Sequence, residues 1–585
     1  MVTHQAGRLP ALRTWTALAA LAAAPAFSQV SQPVDSEVPS APDPALEVTL
    51  FGDTDRDGSL TEADLRGRHR ASLTHGALVL NNCDSDQDTG DPDHADDRIN
   101  GPADFRDLSY LELRAVSTQP GAVSIAFEVP EPARAQVRLF GPVAEEKTDV
   151  QTVPLDGSEA YSLDGPVSRG AFRFGMEAKS FADADWNGVV EVKVTLRHED
   201  GLEVTDTVAL RVAPWIMLSS LDGPQTLYVR EFAERNDELI SQLKTIVPAA
   251  NTELHIVPAS APYDAWNIWL QDTMEIGYTQ HRPDVRMSVV LPSNRNKSLD
   301  RFPREQLLGP DFGWFSKGTY RPQYGAGDGE GDASWIDWYG NLEATPPIPG
   351  YPFGRVYYGV ADNGASLNPE VVAMIDAQAI QGPALPIDVT FLLIKHVDEL
   401  ISFLPTGDPE RPFVAMVPNV REMLKIMRRL DTDADKDAPL LSTYKEEMTV
   451  ASFLADEELI AYNEDVQAKY LDPLVEKIQS EFGVAPRDIV RVPAFYEKDG
   501  RSMVPNMVNS VILGDMVIVP APEGPVVDGR DVLEADLRAR LKDLPVKVFF
   551  VNDEQYHKWC GNVHCATNVR RHAAADEWWT ALTEE

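Results

Sequence analysis

The sequence predicts two successive parts of different fold class, an antiparallel β-sandwich followed by a mixed α/β domain. From Leu46 to about Pro214, short apolar runs with alternating polar residues are separated by turn residues. Beyond Pro214, strand-like apolar runs alternate with helical stretches, as in α/β proteins. The chain has 585 residues, which is too long for one ordinary domain and sufficient for two or three.

The first part is predicted to be an all-β, immunoglobulin-like domain over residues 46–214. Its strand-like runs occur at the spacing expected of a sandwich of short strands. These runs are L-E-V-T-L-F, G-A-L-V-L-N, V-S-I-A-F-E-V, A-Q-V-R-L-F, V-V-E-V-K-V-T-L and V-A-L-R-V.

The second part, residues 215–585, is predicted to be the α/β domain. Expected strands are V-T-F-L-L-I, S-V-I-L-G-D-M-V-I-V-P and V-K-V-F-F-V-N, and the clearest helical pattern runs from about Leu459 to Phe482. No repeat of 20–50 residues is visible at the level of identical residues.

The N-terminus has the pattern of an export signal. Basic residues precede a short apolar run and then small residues near Ala24 to Ser28, so residues 1–28 are predicted to be a signal peptide. A Pro/Ser-rich linker is expected at 29–45. The apolar run is shorter than the ~20 residues that span a bilayer. We therefore expect a secreted or periplasmic protein, from a bacterium, without stable membrane insertion.

The charge balance is strongly acidic. Asp and Glu number 92 against 52 Lys and Arg, which gives a formal net charge of −40. Such a surface argues against a nucleic-acid-binding protein, because affinity for phosphates depends on basic side chains. Basic substrates, bound cations and simple solubility all remain possible.

Two Asp clusters in the first part are candidate cation sites. In D-T-D-R-D-G-S-L-T-E-A-D, residues Asp53, Asp55 and Asp57 occupy positions 1, 3 and 5 of an EF-hand-like loop. Asp64 stands where an EF-hand has Glu. The second cluster has nine Asp between Asp84 and Asp107. Charges at this density repel unless a cation neutralises them, so Ca²⁺ is expected, with a solvated acidic loop as the alternative.

Three segments of the second part carry reactive side chains. They are W-N-I-W-L-Q-D-T-M-E-I-G-Y with Asp272, I-K-H-V-D-E-L-I-S-F with His396 and Asp398, and G-N-V-H-C-A-T-N-V-R-R with Cys565. On an extended strand, His396 and Asp398 would face the same side.

A thiol and an imidazole alone suggest acyl transfer, as in a cysteine protease. Two carboxylates suggest instead that a planar guanidinium is held in place while a thiolate attacks its carbon. Cys83 and Cys560 are the other two cysteines, so at least one thiol stays unpaired within the chain.

These segments resemble the protein-arginine deiminases of the guanidino-group-modifying superfamily. L-L-G-P-D-F-G, Y-G-N-L-E-A-T-P-P, Y-P-F-G-R-V, P-N-M-V-N and G-P-V-V-D-G-R also follow in family order, and the family's first N-terminal domain has no counterpart. The resemblance implies a five-bladed, pseudo-symmetric α/β-propeller catalytic domain after the immunoglobulin-like domain. It also implies calcium-dependent conversion of peptidyl-arginine to peptidyl-citrulline and ammonia through a covalent thiouronium.

The resemblance assigns roles residue by residue. Cys565 would be the nucleophile, His396 the general acid and base, and Asp272 and Asp398 the guanidinium clamp. Trp269 would line the arginine channel. The family's substrate-backbone Arg is replaced by Lys297, which lacks a bidentate fork, and Arg295 is expected to compensate.

Calcium ligands follow from the same resemblance. One site would use Gln271, Glu275, Glu343 and the carbonyls of Tyr339 and Leu342. A second cluster would use Asn82, Asp84, Asp86, Asp104, Asp107 and Asp311, and a third site Asp53, Asp55 and Asp57. A further family site is expected to be weak or absent, because Thr273 and Pro292 stand where it needs acidic residues.

Two other readings compete with this one. The chain could be a deiminase for free arginine or a small guanidino compound, or a catalytically silent calcium-binding exported protein. The expected partners are arginine-containing proteins or peptides. The sequence does not determine the oligomeric state.

Overall fold

A computed structural model of the chain describes residues 46–86, 90–144, 150–163, 170–318, 333–441, 448–573 and 577–582. The predicted signal at 1–28, the linker at 29–45 and a Gly-rich stretch at 324–332 lie outside these residues. Within the described part of the chain, we find no helix with the length and apolarity needed to cross a membrane.

The N-terminal part consists of two sheets that share one apolar core. The four-stranded sheet is antiparallel and has the order Leu46–Gly52, Ser109–Ser117, Gly170–Ala178, Val137–Phe140. The five-stranded sheet has the order Ala77–Val79, Glu203–Val212, Val189–His198, Val123–Glu128, Asp156–Leu163. Buried and less buried residues alternate along Ser109–Ser117, which is the pattern of a strand with one face on a core.

All six runs predicted for this part contain a strand, so its β-rich class is confirmed. Three further strands were not predicted: Ser109–Ser117, Asp156–Leu163 and Gly170–Ala178. Short helical segments in this part are Glu62–Leu65, Asp93–Ala95, Pro102–Asp107 and Ala133–Gln136.

The C-terminal part contains five small sheets with one common plan. In each, a middle strand pairs antiparallel with one neighbour and parallel with another. In sheet order, the first sheet contains Ile216–Met217, Met274–Arg282, Val285–Pro292 and Phe312–Trp314, and the second contains Glu253–Val257, Gly223–Arg230 and Thr567–His572. The third contains Leu342–Ala344, Val356–Val360 and Leu385–Asp388, and the fourth contains Ser402–Asp408, Arg411–Asn419 and Ile489–Pro493. The fifth contains Val511–Leu513, Met516–Pro520 and Lys547–Val551.

Helices connect the parallel strands of these sheets. They are Asp237–Ala249, Pro369–Ala377, Val420–Met427, Asp433–Lys436, Val450–Ala455, Glu457–Val466, Asp472–Glu481 and Val532–Leu541. A π-helical turn, Gln467–Leu471, joins two of them into the long helical stretch predicted near 459–482. Mixed α/β structure is therefore confirmed for this part.

One strand prediction is wrong. The run V-T-F-L-L-I, residues 389–394, follows the strand Leu385–Asp388 as a turn rather than forming a strand. Val389 and Leu392 are buried in the largest core cluster, and Leu393 N–H donates to the Gly500 carbonyl at 3.1 Å. The apolar character of this run thus reflects core packing and not a sheet ladder.

The two parts belong to one compact unit, residues 45–585. Gln378 links them, because its side-chain Nε2 donates to the Ala182 carbonyl at 2.8 Å while its Oε1 accepts from Trp215 N–H at 3.1 Å. The buried Trp215 also donates from its indole to the Val289 carbonyl at 3.1 Å.

Candidate active site

Each of the five small sheets sends one short segment to a common site. Four of these are helical turns shortly before the strand that pairs antiparallel with the middle strand: Gln271–Thr273, Tyr339–Asn341, Val397–Glu399 and Val563–Ala566. The fifth is the loop that carries Asn509, before Val511–Leu513. The site is therefore assembled from equivalent positions of five similar units.

Cys565 lies in the short helix Val563–Ala566 and is 5% exposed. Its Sγ is 3.4 Å from Asp398 Oδ2 and 3.4 Å from Asn509 Oδ1. Its backbone N–H donates to the same Asn509 oxygen at 3.3 Å, and the Asn509 amide donates to the Asp398 carbonyl at 3.3 Å. Asn509 thus ties the thiol to the turn that carries Asp398.

His396 and Asp398 flank the start of the turn Val397–Glu399, and not an extended strand as we predicted. The turn forms because Glu399 Oε1 accepts from the His396 N–H at 3.4 Å. His396 Nε2 is 2.7 Å from the Trp335 carbonyl. A carbonyl only accepts, so Nε2 keeps its hydrogen and Nδ1 is the nitrogen left to exchange protons.

Asp272 lies opposite, in the turn Gln271–Thr273. Its Oδ1 is 3.5 Å from His396 Nδ1 and accepts from Gly340 N–H at 3.3 Å. Gly340 lies between the acidic side chains, where sequence reasoning had given it no role.

Two polar atoms in this group are buried without a hydrogen-bond partner, Asp398 Oδ1 and His396 Nδ1. Asp272 and Asp398 are 4% and 3% exposed. Buried carboxylates are costly unless a cation or donors compensate them. A planar cation with several N–H donors satisfies this requirement, whereas a neutral amide does not.

Burial also disfavours the ionised form of the Cys565 thiol. It raises the pKa of the Cys565 thiol well above its ordinary value, and the negative charges of Asp398 and Asp272 raise it further. Burial raises the pKa of Asp272 as well, opposed by the charges of His396 and Arg295. A cation that enters between the two carboxylates offsets their charge and so favours the thiolate.

A cavity of about 700 Å³ leads to Cys565. Trp269 lines it, as predicted for an arginine channel, and packs edge-on against Tyr556 at 5.6 Å between ring centroids. Lys297 also lines it and lies 5.8 Å from the centre of the Trp338 ring. Both predicted positions therefore face the space that a substrate would enter.

Arg295 lines the same cavity but is only 2% exposed. Its guanidinium donates to Asp300 Oδ1 at 2.8 Å, Asn267 Oδ1 at 3.0 Å and Thr273 Oγ1 at 2.7 Å. These bonds connect the chain on both sides of Trp269. The geometry thus favours Arg295 as a support of the cavity wall over the substrate contact that we predicted.

The first predicted calcium set lies directly behind Asp272. Gln271 Nε2 donates to Glu275 Oε2 at 3.0 Å and to the Tyr339 carbonyl at 3.4 Å. Leu342 begins the strand that carries Glu343. Gln271, Glu275 and Glu343 line a cavity of about 30 Å³, which is the room that one water or ion needs.

The electrostatics of this cavity suit a cation. Burial and the charge of Glu343 raise the pKa of Glu275 well above its ordinary value. Burial raises the pKa of Glu343 itself to about 7. Two buried carboxyl groups that interact in this way require compensation by a positive ion or by protons.

The second set connects the two parts of the protein. Oxygen atoms of Asp84, Asp86 and Asp107 lie within 4.8 Å of one another. Buried oxygens without a hydrogen bond include Asn82 Oδ1, Asp84 Oδ1 and both Asp86 carboxylate oxygens. Asp104 accepts from the Asn82 amide at 2.7 Å, and Asp311 N–H donates to Asp84 Oδ2 at 2.8 Å. The residues present therefore fit a hard cation.

The EF-hand-like loop brings oxygens of Asp53, Asp55 and Asp57 within 4.8 Å of one another. Asp53 Oδ2 accepts from Gly58 N–H at 2.9 Å, and burial raises the pKa of Asp53 to about 7. Asp64, at position 12, is fully buried and accepts from Thr54 N–H at 2.7 Å. Its carboxylate is engaged in holding the loop closed.

Sequence reasoning gave no role to Asn509 or His564, which both contact the predicted residues. His564 Nδ1 is 3.0 Å from Asp398 Oδ2 and its Nε2 is 3.6 Å from Glu343 Oε1. It thereby connects Asp398 to the predicted calcium set. Its position next to Cys565 in the chain was the available signal.

The family model described as protein-arginine deiminase (PAD) matches residues 202–580, and that of the PAD middle domain matches 46–198. The protein-arginine deiminase type-4 of Rattus norvegicus is 29% identical over 567 residues, covering 91% of this chain and 83% of that protein. The type-4 and type-1 enzymes of Homo sapiens are each 30% identical and cover 92% of this chain and 83% of their own length.

Among solved structures, the C. Jejuni agmatine deiminase aligns with 61% of this chain and 96% of its own at 12% identity. The TM-score of this alignment is 0.36. The family assignment depends instead on the domain models and on the identity that extends over nine-tenths of the chain. This chain belongs to the protein-arginine deiminase family.

Proposed function

We propose that this protein hydrolyses the guanidinium of peptidyl-arginine to give peptidyl-citrulline and ammonia. The main support is that Cys565, His396 and Asp272 line one cavity, while Asp398 contacts Cys565 Sγ at 3.4 Å. The names of its relatives support the same reaction.

Substrate binding begins with the two carboxylates. Asp272 and Asp398 accept hydrogen bonds from the guanidinium N–H groups, and their charges keep the group cationic and its carbon electrophilic. The positive charge of the substrate lowers the free energy of the thiolate, which the empty site disfavours. The Cys565 thiol gives its proton to His396 Nδ1, and Sγ then attacks the central carbon and forms the S–C bond.

Collapse of the tetrahedral adduct breaks one C–N bond. His396 Nδ1 supplies the proton to the departing nitrogen, which leaves as ammonia, and a covalent thiouronium remains on Cys565. A water molecule then adds to the same carbon as His396 Nδ1 removes its proton. The C–S bond breaks, the thiol is regenerated and the product is a ureido group.

We propose that Ca²⁺ supports this reaction by fixing geometry. Gln271, Glu275, Glu343 and the carbonyls of Tyr339 and Leu342 would hold one ion directly behind the turn that carries Asp272. An ion there would supply the charge compensation that the buried Glu275 and Glu343 need. The clusters around Asp84 and Asp53 would hold further ions in the β-rich part.

For the fold, we propose that residues 215–585 form a five-bladed, pseudo-symmetric α/β-propeller. Five sheets with one strand plan support this, as does the pairing of Gly223–Arg230 with Thr567–His572. That pairing places the first and last long strands of this part in one sheet, which is how a ring of blades closes. The β-rich part would be the immunoglobulin-like domain over 46–214.

The proposal predicts citrulline and ammonia in equal amounts from a blocked arginine peptide supplied with calcium. Cys565→Ala should reduce turnover below detection because the covalent step has no nucleophile. Cys560→Ala is the matched control, since it removes a thiol five residues away and should retain activity within about threefold.

Two measurements separate the competing functions. Turnover of free arginine that exceeds turnover of the blocked peptide would indicate a deiminase for small guanidino compounds. Absence of product from both substrates in the calcium-loaded wild type contradicts the enzymatic proposal and leaves a calcium-binding protein.

A further inference from the structure

Tryptophan is concentrated around the cavity that leads to Cys565. The chain has 11 Trp, and five of them line this one cavity. They are Trp266, Trp269, Trp335, Trp338 and Trp559. Trp269 lies close to Asp272 in the sequence and is predicted to line the arginine channel. This role does not explain why the exposed Trp266 and Trp559 also line the cavity.

Two of these tryptophans are stacked on each other and exposed. The ring centroids of Trp266 and Trp559 are 4.8 Å apart with an interplanar angle of 29°. Trp266 is 51% and Trp559 is 45% exposed. In the described part of the chain, the other large exposed hydrophobic side chains are Leu202 and Val526, which do not line this cavity.

Groups outside the pair pack against the Trp266 ring, and a tight backbone turn follows Trp559. The Arg235 guanidinium lies 4.8 Å from the centre of the Trp266 ring, and Phe232 meets that ring edge-on at 5.5 Å. Trp559 precedes a tight turn in which Cys560 has a φ of 69°. Gly561 completes that turn so close to Trp269 that a Cβ would lie 2.5 Å from the indole.

Trp559, Arg235 and Phe232 therefore restrict the Trp266 ring before any substrate arrives. Rigid aromatic side chains bind with little loss of conformational entropy, which makes them effective anchors at recognition surfaces. A purely structural contact between two indoles would be expected to bury them more completely, as the chain does with Trp578 at 0% exposure.

The pair lies within reach of residues next to the substrate arginine. Cys565 is only 5% exposed, whereas Trp266 and Trp559 line the same cavity and are about half exposed, so an arginine that reaches Cys565 has its own Cα nearer to the two indoles. The next residue of the peptide has its Cα ~3.8 Å further along the chain. A flanking side chain can thus meet the indoles while the guanidinium is bound.

We propose that Trp266 and Trp559 form a subsite for an aromatic side chain that flanks the modified arginine. This inference depends on the proposed function, because it names the peptide class which that reaction accepts. Aromatic rings stack favourably on exposed indoles beyond the gain from buried area. An acidic flanking residue gains no such contact and meets a protein of formal net charge −40.

The test compares acetylated peptides that carry Phe, Leu, Ala or Asp on either side of one arginine. For the wild type we expect kcat/KM to be about fivefold higher with Phe than with Ala on the favoured side, with Leu in between. Trp559→Leu keeps an apolar side chain without a ring and should bring the Phe/Ala ratio close to one. Trp559→Phe keeps a ring and should restore most of the ratio.

Leu202→Ala is the matched control, because Leu202 is a similarly exposed apolar residue away from the cavity. It should leave the Phe/Ala ratio of the wild type unchanged. A wild-type ratio near one on both sides of the arginine overturns the inference, as does a ratio that Trp559→Leu leaves intact. The circular dichroism spectrum of Trp559→Leu is compared with that of the wild type, so that a folding defect is distinguished from lost recognition.

Failure of the proposed function gives a different result, namely no ammonia from any peptide. In that case the affinity of the calcium-loaded wild type for the same peptides is measured by calorimetry. Tighter binding of the Phe peptide that Trp559→Leu abolishes supports the subsite, and equal affinity for the Phe and Ala peptides overturns it.

Discussion

Gly340 is the residue at which this site tolerates no side chain. A Cβ there would lie 2.4 Å from His396 Nδ1, 2.9 Å from Asp272 Oδ1 and 3.2 Å from Asp398 Oδ2. The first two distances are shorter than real Cβ contacts, so one of these groups has to move. Because Gly340 N–H also donates to Asp272, the turn cannot retreat without losing that bond.

We therefore expect Gly340→Ala to lower kcat/KM by about 100-fold, the effect of displacing reacting groups by roughly 1 Å. The measurement is ammonia release from a blocked arginine peptide. Gly223→Ala is the control, because a Cβ at Gly223 meets its nearest neighbour at an ordinary 3.9 Å. Activity of Gly340→Ala within threefold of the control would show that the close packing around this glycine is not needed.

The identities of the reactive side chains were predictable from sequence, but their relative positions were not. Cys565, His396, Asp272 and Asp398 were chosen because their chemistry suits a guanidinium. Gly340 was not predicted, because the need for a glycine depends on its neighbours in space, which the sequence does not show. The burial of Arg295 was not predictable for a related reason, since it depends on contacts to Asn267 and Thr273 that sequence spacing does not reveal.

At the scale of elements, five turns occupy the same place in five sheets. Each precedes the strand that pairs antiparallel with the middle strand, as Gln271–Thr273 precedes Met274–Arg282 and Val563–Ala566 precedes Thr567–His572. The repetition was expected only through the family resemblance and not from a repeat of residues, because the units differ in length and share a strand plan rather than identical residues. His396 and Asp398 were placed on a strand for the same reason, as spacing alone does not separate a strand from a short turn.

Arg295 supports one of these turns. Its guanidinium bonds to Asn267 before the turn Gln271–Thr273, to Thr273 within it, and to Asp300 beyond it. Removing one partner of a buried ion pair leaves the other charge uncompensated, at a cost of about 3 kcal/mol. We expect Arg295→Met to lower the free energy of unfolding by that order, and to lower kcat because Asp272 loses its anchor.

Urea denaturation of the variant, followed by tryptophan fluorescence, measures this change. Arg301→Met provides the matched control, because the Arg301 side chain is 54% exposed and its pair with Glu305 is 3.3 Å long on the surface. A surface pair of this kind contributes about 1 kcal/mol or less. Equal stability losses in the two variants would contradict a supporting role for Arg295.

At the scale of the whole molecule, part of the acidity has a specific location. The Asp84, Asp86 and Asp107 cluster lies where the β-rich part meets Asp311 of the catalytic part. Burial and the charge of Asp86 raise the pKa of Asp107 to about 8, and burial and the charge of Asp107 raise that of Asp84 well above its ordinary value. These groups repel one another at neutral pH unless protons or a cation compensate them.

A cation bound by this cluster would therefore stabilise the contact between the β-rich part and the catalytic part. Anything that binds the folded state alone raises stability in proportion to the logarithm of its concentration, by about 2.7 kcal/mol at 100 times the dissociation constant. We expect saturating Ca²⁺ to raise the unfolding midpoint by about 4 °C or more over a chelator-treated sample. Scanning calorimetry measures this shift.

Asp84→Asn with Asp86→Asn should remove part of this calcium-dependent shift, because an amide offers one neutral oxygen where the carboxylate offered charge. The same double variant should be no less stable than the wild type in chelator, since the substitution also relieves repulsion among buried carboxylates. Asp185→Asn, which changes an exposed carboxylate elsewhere in the β-rich part, should leave the shift at its wild-type size. If the wild-type midpoint is the same with Ca²⁺ and with chelator, the cluster binds no ion that matters to stability, and protonation and the Arg106–Asp107 ion pair at 3.5 Å are left to compensate its charge.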